Sequence, residues 1–275
     1  MTAPTGAGAT VTYPPPDGKN GEGAVTVVCT PDSGTTFPVG TTPVECVITD
    51  SLKRTGSCTF SVTISAPLRL RRTRIMAFGD SITEGQVVVP GTDSAELVTR
   101  PDIAYPAVLS QLLSARYTDQ RIAVFNRGHA TEQAAKARAR FVTDLINDSP
   151  EVVVLLEGYN DIIFGESGLG ILAGVSGVNE LAAEARIRGA RVFICTLSPS
   201  KAGRRQIPMS AIRDANDRLR VVARGEGAYL VDVFSALLPD VEANVSSDGL
   251  HLTELGYRRL AETVFAAIRA DLEIQ

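Results

Sequence analysis

The stretch Arg74-Ile75-Met76-Ala77-Phe78-Gly79-Asp80-Ser81-Ile82-Thr83-Glu84-Gly85 sets the reading of the chain. Ile75 to Phe78 is a short, continuous apolar run, as expected of a strand covered on both faces. It stops at a glycine. A hydroxyl placed directly after such a strand, at the start of a short helix, meets reactants and has backbone N–H groups and a positive helix end beside it. Working outward, Ile122 to Phe125, Val152 to Leu156 and Val192 to Leu197 are further apolar runs. Helices are predicted between them over 104–116, 131–147, 176–189 and 210–225, with a last one over 253–271. In the last, Leu255, Leu260, Val264, Ala267 and Ile268 recur near spacings of three and four, and Thr253 precedes it as a cap. This alternation predicts an α/β fold of three layers, a parallel sheet between helices, because parallel neighbours need crossover connections. Ligands in such folds bind outside the carboxyl ends of the strands, so residues that carry chemistry are expected just after a strand.

Three strand ends meet that expectation. Ser81 follows the first, Asn126-Arg127-Gly128 ends the second, and Gly158-Tyr159-Asn160-Asp161 ends the third. Near the C-terminus, Asp248-Gly249-Leu250-His251 puts a carboxylate and an imidazole three residues apart around a tight turn. The carboxylate can then accept from one ring nitrogen while the other faces outward. Taken singly these pieces are ordinary: Gly-Asp-Ser is a common turn, Asn160 can cap a loop and His251 can be a satisfied core residue. Their order and placement supply a nucleophile, a base, an orienting carboxylate and oxyanion donors.

Composition narrows the classes. The 275 residues are 44% hydrophobic and 21% charged with a net charge of −4, which is globular usage without the basic excess of a nucleic-acid binder. No apolar run is long enough to span a membrane, and Met1-Thr2-Ala3-Pro4-Thr5-Gly6 does not read as a signal peptide. Two histidines, His129 and His251, leave little room for a multi-histidine metal site.

Cys29, Cys46 and Cys58 fall in the first 67 residues and only Cys195 lies beyond, which predicts two domains. Cys58, Phe60, Val62 and Ile64 alternate with polar residues as in a half-buried strand. By the same parity Cys29 shares a face with Val25 and Val27, and Cys46 with Val44 and Ile48, so all three thiols are expected to enter one core. Turn residues at Pro14 to Gly18, Pro31 to Gly34 and Pro38 to Gly40 punctuate a small all-β sandwich. A disulfide is expected there, with the odd thiol either free or paired upstream in a longer parent chain.

The run from Val28-Cys29-Thr30-Pro31 through Gly40-Thr41-Thr42, Val44 to Asp50 and Ser57-Cys58-Thr59-Phe60-Ser61-Val62 resembles the hyalin-repeat domain, an extracellular immunoglobulin-like module. The resemblance spans about residues 9–66. It implies adhesion or spacing and a Cys29–Cys46 disulfide. A secreted or extracellular protein follows from the module and its cysteines. The expected boundaries are 1–67 for this domain, 68–74 for a basic linker (Arg69, Arg71, Arg72, Arg74) read as solvated or as a docking seam, and 75–275 for the α/β domain.

Four ordered blocks of the α/β domain resemble the GDSL-type or SGNH hydrolases, serine esterases of a flavodoxin-like three-layer α/β/α fold. Gly79-Asp80-Ser81-Ile82-Thr83 matches the block whose serine is the nucleophile, so the resemblance gives Ser81 that role. Gly128 matches the second block and Gly158 to Asp161 the third. The oxyanion hole it implies comprises Ser81, Gly128 and Asn160. Asp248-Gly249-Leu250-His251, with Leu252-Thr253 and Gly256-Tyr257 after it, assigns Asp248 and His251. Two departures stand out: His129-Ala130-Thr131 follows Gly128 where a second glycine is usual, and Glu157 replaces a residue often small or apolar.

The expected function is hydrolysis of short acyl esters, small molecules or acetylated carbohydrates, through an acyl-enzyme on Ser81, with no cofactor or metal. Alternatives are a lipase or lysophospholipase acting on longer chains, and a non-catalytic extracellular glycan-binding or adhesion protein. The N-terminal domain is expected to contact the catalytic domain or an extracellular surface. Of the other candidates, His129 lacks a carboxylate partner in sequence and Cys195 is expected to be a buried apolar residue. Asp80 and Asp161 are expected to order turns, Glu84 and Glu157 to influence the substrate pocket, and the loop 198–209 with Lys201, Arg204 and Arg205 to border it.

Overall fold

A computed structural model of the chain describes residues 1–17, 21–89, 91, 96–165 and 168–274. It divides into two compact units, one made chiefly of Met1–Arg69, the other of Leu70–Arg116 and Arg121–Glu273.

The first unit is all β, with strands β1 (Ala9–Val11), β2 (Thr26–Thr30), β3 (Thr35–Phe37), β4 (Gly40–Thr49) and β5 (Thr55–Ile64). β1 pairs antiparallel with β3, and a second antiparallel sheet runs β2-β4-β5. Alternation along β4 turns Val44 and Cys46 inward, where they meet Phe37, Ile64 and the edge-packed rings of Tyr13 and Phe60. Pro31 to Gly34 joins β2 to β3, and Pro38-Val39 leads into β4; Gly18, the end of the predicted first turn, lies outside the described residues. Cys29, Cys46 and Cys58 form one cross-strand row, Cys29 opposite Cys46 and Cys46 opposite Cys58. Cys29 and Cys46 are disulfide-bonded. The expectation that all three thiols enter the core fails at Cys58, which is free and exposed. Parity sets its face, but residues 55–59 are all exposed, so no described residue covers that end of β5. Val25 is exposed for the same kind of reason, lying just before β2 begins.

The second unit follows the short strand β6 (Arg69–Leu70). The basic stretch is docked in part: Leu70 is buried, and Arg72 donates to the carbonyls of Glu151 and Gly189 at 2.9 and 2.7 Å. β7 (Arg74–Gly79) leads into α1 (Ser81–Glu84), a hairpin β8 (Gln86–Val88) and β9 (Leu97–Thr99), and α2 (Tyr105–Arg116). Then come β10 (Ala123–Gly128), α3 (Arg138–Asp148), β11 (Val152–Leu156), α4 (Tyr159–Phe164), α5 (Leu169–Ile187), β12 (Arg191–Cys195), α6 (Met209–Gly225), β13 (Tyr229–Val231), α7 (Val233–Leu237), α8 (Val241–Asn244) and α9 (Glu254–Leu272). Five parallel strands form one sheet in the order β10-β7-β11-β12-β13. α2 and α9 pack on one face and α3, α5 and α6 on the other, giving the expected three-layer α/β/α fold. The central strands β7 and β11 are buried along almost their whole length, whereas the edge strand β10 is only half-buried. Apolar continuity in sequence therefore tracks coverage on both faces.

Two helix expectations shift. Residues 131–137 form a loop and a single 3-10 turn (Ala134–Lys136) before α3, because the Asp161 carboxylate takes the N–H groups of Ala134 and Ala135 at 2.8 and 3.1 Å. α5 begins at Leu169 rather than 176 and brings Gly177 against that turn, where a Cβ would lie 2.4 Å from the Ala134 carbonyl carbon. Backbone closeness there requires glycine.

The disulfide constrains β2 against β4 across a sequence separation of 17 residues. Replacing Cys29 and Cys46 by serine is expected to lower the opening free energy of β2 and β4 amides by about 3 kcal/mol in native-state hydrogen exchange of the full chain. Unchanged protection would contradict this.

Candidate active site

In the order β10-β7-β11, three adjacent strands deliver their carboxyl ends to one rim, with Gly79 in register with Gly128 on one side and Leu156 on the other. Ser81 starts α1 directly beyond that rim. Asp80 caps the helix, its Oδ1 accepting from the Ile82 N–H at 3.0 Å, and Gly85 closes it in the left-handed region at φ 98°. A short capped turn of this kind holds the serine hydroxyl off the sheet and leaves first-turn N–H groups free of helical acceptors.

The partner arrives from far along the chain. Ser81 Oγ lies 2.9 Å from His251 Nε2, and His251 Nδ1 lies 2.6 Å from Asp248 Oδ2. The other carboxylate oxygen of Asp248 accepts the N–H groups of Leu250 and His251, both at 3.0 Å. Ser246 Oγ donates to the His251 carbonyl at 2.6 Å, so the turn is fixed on both sides of the ring. Burial pushes the Asp248 carboxyl up, but the hydrogen bond and charge of His251 and the two backbone N–H groups outweigh it and hold it below the usual carboxylate range. An ionised Asp248 needs a donor at Nδ1, which leaves Nε2 as acceptor for the Ser81 hydroxyl.

Asn160 sits in the first turn of α4 at the same rim. Its Nδ2 donates to the Glu132 carbonyl at 2.8 Å, which occupies one amide hydrogen and leaves the second for a ligand. Gly128 is placed differently from the simple expectation. Its N–H donates to Asn126 Oδ1 at 2.9 Å, and a Cβ there would lie 2.0 Å from the Glu84 nitrogen. The glycine thus lets β10 approach the α1 backbone closely.

A cleft of about 470 Å³ opens at Ser81, Asn160 and His251. One wall is apolar, with Leu97, Ile162, Ile163 and Phe164; another comes from the loop after β12, with Arg204, Arg205 and Ile207. Arg205 Nη1 also stands 3.5 Å from Asp248 Oδ2. Of the loop's basic residues, Lys201 instead bonds Glu242. His129 is exposed and absent from the cleft lining, and Cys195 is buried with its thiol pushed up by desolvation. Glu84 and Glu157 do not line the cleft, and Glu157 is buried behind the rim, so neither reaches the pocket as expected. Thr131, at φ 65°, lines the cleft and was not anticipated; the Ile162-Ile163-Phe164 run after the third block was the readable sign of the apolar wall.

The family model for GDSL-like lipases and acylhydrolases matches residues 77–259, and that for the HYR domain matches residues 1–64. A search of curated proteins gives no match. Among solved structures, a lipase/acylhydrolase from Enterococcus faecalis aligns with a TM-score of 0.61 at 20% identity, over 73% of this chain and 97% of its own. An alpha/beta hydrolase enzyme, LAE5, from the metagenome of Lake Arreo aligns at 0.59 and 22% identity, over 71% and 94%. A catalytic mutant of the acetylxylan esterase Axe2 from Geobacillus stearothermophilus aligns at 0.57 and 20% identity, over 72% and 94%. Matched over most of its second unit, the chain belongs to the GDSL-like lipase/acylhydrolase family, with an HYR domain preceding the hydrolase domain.

Proposed function

We propose that the α/β unit, residues 75–275, hydrolyses short acyl esters, acetylated carbohydrates among them, through an acyl-enzyme on Ser81. The observation that carries this reading is the hydrogen-bond chain Ser81–His251–Asp248 at the mouth of an open cleft. His251 takes the Ser81 proton through Nε2 as the hydroxyl attacks the ester carbonyl, and Asp248 holds the ring and balances its positive charge. The tetrahedral oxyanion is met by the Ser81 N–H and the free hydrogen of the Asn160 amide. Gly128 joins them if its bond to Asn126 opens when substrate binds. His251 then returns the proton to the leaving alcohol, and water, deprotonated by His251, attacks the acyl carbon and releases the acid.

Membership of an esterase family and a fold shared with an acetylxylan esterase support the class of reaction, and Arg204, Arg205 and Gln206 in the cleft lining support a polar ester such as an acetylated sugar. The apolar wall of Leu97, Ile162, Ile163 and Phe164 favours a second reading, a lipase or lysophospholipase for longer chains. The HYR domain and its disulfide are consistent with an extracellular protein, and no described helix is long and apolar enough to cross a membrane. We take the protein to be secreted, with residues 1–67 as a supporting or tethering domain and 68–74 as the connection.

Ser81→Ala is expected to reduce kcat on activated short-chain esters by at least about 10⁴-fold and Asn160→Ala by about 10²–10³-fold. Turnover by Ser81→Ala near the wild-type level would refute the assignment. Along a p-nitrophenyl ester series from acetate to octanoate, kcat/KM is expected to fall as the acyl chain grows. A steady rise would instead establish the long-chain reading.

A further inference from the structure

The parallel register that pairs Gly79 with Leu156 makes Asp80 and Glu157 the next residues at two adjacent strand ends, with Ser81 following Asp80. Each is 1% exposed. Asp80 uses Oδ1 to cap α1, while its Oδ2 and both carboxyl oxygens of Glu157 are buried without a hydrogen-bond partner. Neither residue has an ion pair among the described residues. The Arg140 guanidinium, which acts on Glu157, is bonded to Glu132 and Asp144. The other groups acting on the pair add no positive charge: Tyr105 from α2, Glu132 from the loop after β10, Asp161 and Tyr159 from α4 and Tyr257 from α9. Among the described residues no group of His, Cys, Asp or Glu is arranged to hold a metal ion.

Two ionised carboxylates here would put like charges at neighbouring strand ends in a low dielectric and leave three acceptor oxygens without a donor. One proton relieves both costs. We infer that Glu157 is protonated at neutral pH and donates that proton to Asp80 Oδ2, so that the pair carries a single charge and Glu157 acts as a positioning residue for the Ser81 turn. This role rests on the reading of Ser81 as nucleophile. Burial, reinforced by the neighbouring carboxylates, pushes both groups up, Asp80 to about 7 and Glu157 well above the usual range. The consequence for chemistry is electrostatic. Asp80 adjoins the Ser81 N–H that receives the oxyanion, and loss of the shared proton to solvent adds a second negative charge behind that donor. The acid form is the one that folding favours, so its contribution to stability is complete at low pH and is lost as pH rises through the folded-state titration.

The test compares wild type, Ser81→Ala, Glu157→Gln and Glu157→Leu in the full chain. In infrared difference spectra a protonated-carboxyl C=O band is expected at neutral pH in wild type and Ser81→Ala and is expected to be absent from Glu157→Gln. Gln retains a donor for Asp80 and Leu does not, so kcat of Glu157→Gln is expected to exceed that of Glu157→Leu by about tenfold. The alkaline decline of kcat and Tm in wild type is expected to disappear in Glu157→Gln. A band that survives in Glu157→Gln, or an alkaline decline identical in wild type and Glu157→Gln, overturns the inference even if Glu157→Leu fails to fold. Full activity of Ser81→Ala overturns the nucleophile reading and the positioning role with it, while the infrared result still decides where the proton resides.

Discussion

The hydrogen bond from Ser81 to His251 spans 170 residues of sequence, and almost every other feature of the second unit serves to make it possible. A serine at the end of the central strand β7 has a fixed position because β7 is buried between two parallel neighbours. A histidine just before α9 has a fixed position because α9 packs against α2 and runs to the β13 edge of the same sheet. Neither residue can reach the other unless the sheet order puts β7 between β10 and β11, since that order creates the rim to which both are delivered. The chemistry proposed for Ser81 is therefore a property of the topology before it is a property of the side chain.

Local devices then refine what topology delivers. Asp80 caps the serine turn, Asp161 ties α4 to the 3-10 turn at Ala134, and Asp248 fixes its own loop through two backbone N–H groups while holding the imidazole. Three aspartates adjoining the candidate site thus organise backbone, and only the last also addresses a ring nitrogen. Gly128 and Gly177 do related work by absence of a side chain, allowing backbones to meet where a Cβ would collide.

Much of this was legible in the sequence, for identifiable reasons. Ile75 to Phe78 and Val152 to Leu156 read as strands because coverage on both faces demands uninterrupted apolar residues, and the four blocks read as one site because three of them follow such strands. What escaped reading depended on tertiary context. The strand β13 is only three residues long and half-buried at its start, so no period marks it. The early half of α5 carries Gly170, Gly174 and Gly177, which lower helix propensity while suiting close packing. The alanine-rich stretch before α3 reads as helix until Asp161 takes its N–H groups. Cys58 has the parity of a core residue but no layer of described residues over it. The burial of Glu157 follows from strand register, which a single sequence does not encode locally.

The central claim is that His251 and Asp248 make the Ser81 hydroxyl a nucleophile. The most direct measurement is reaction of the full chain with a fluorophosphonate, followed by mass spectrometry of the modified peptide. The account predicts one adduct, on Ser81, whose formation slows by orders of magnitude in His251→Ala. Absence of modification at Ser81 in the wild-type protein, or equal labelling with and without the imidazole, would contradict it.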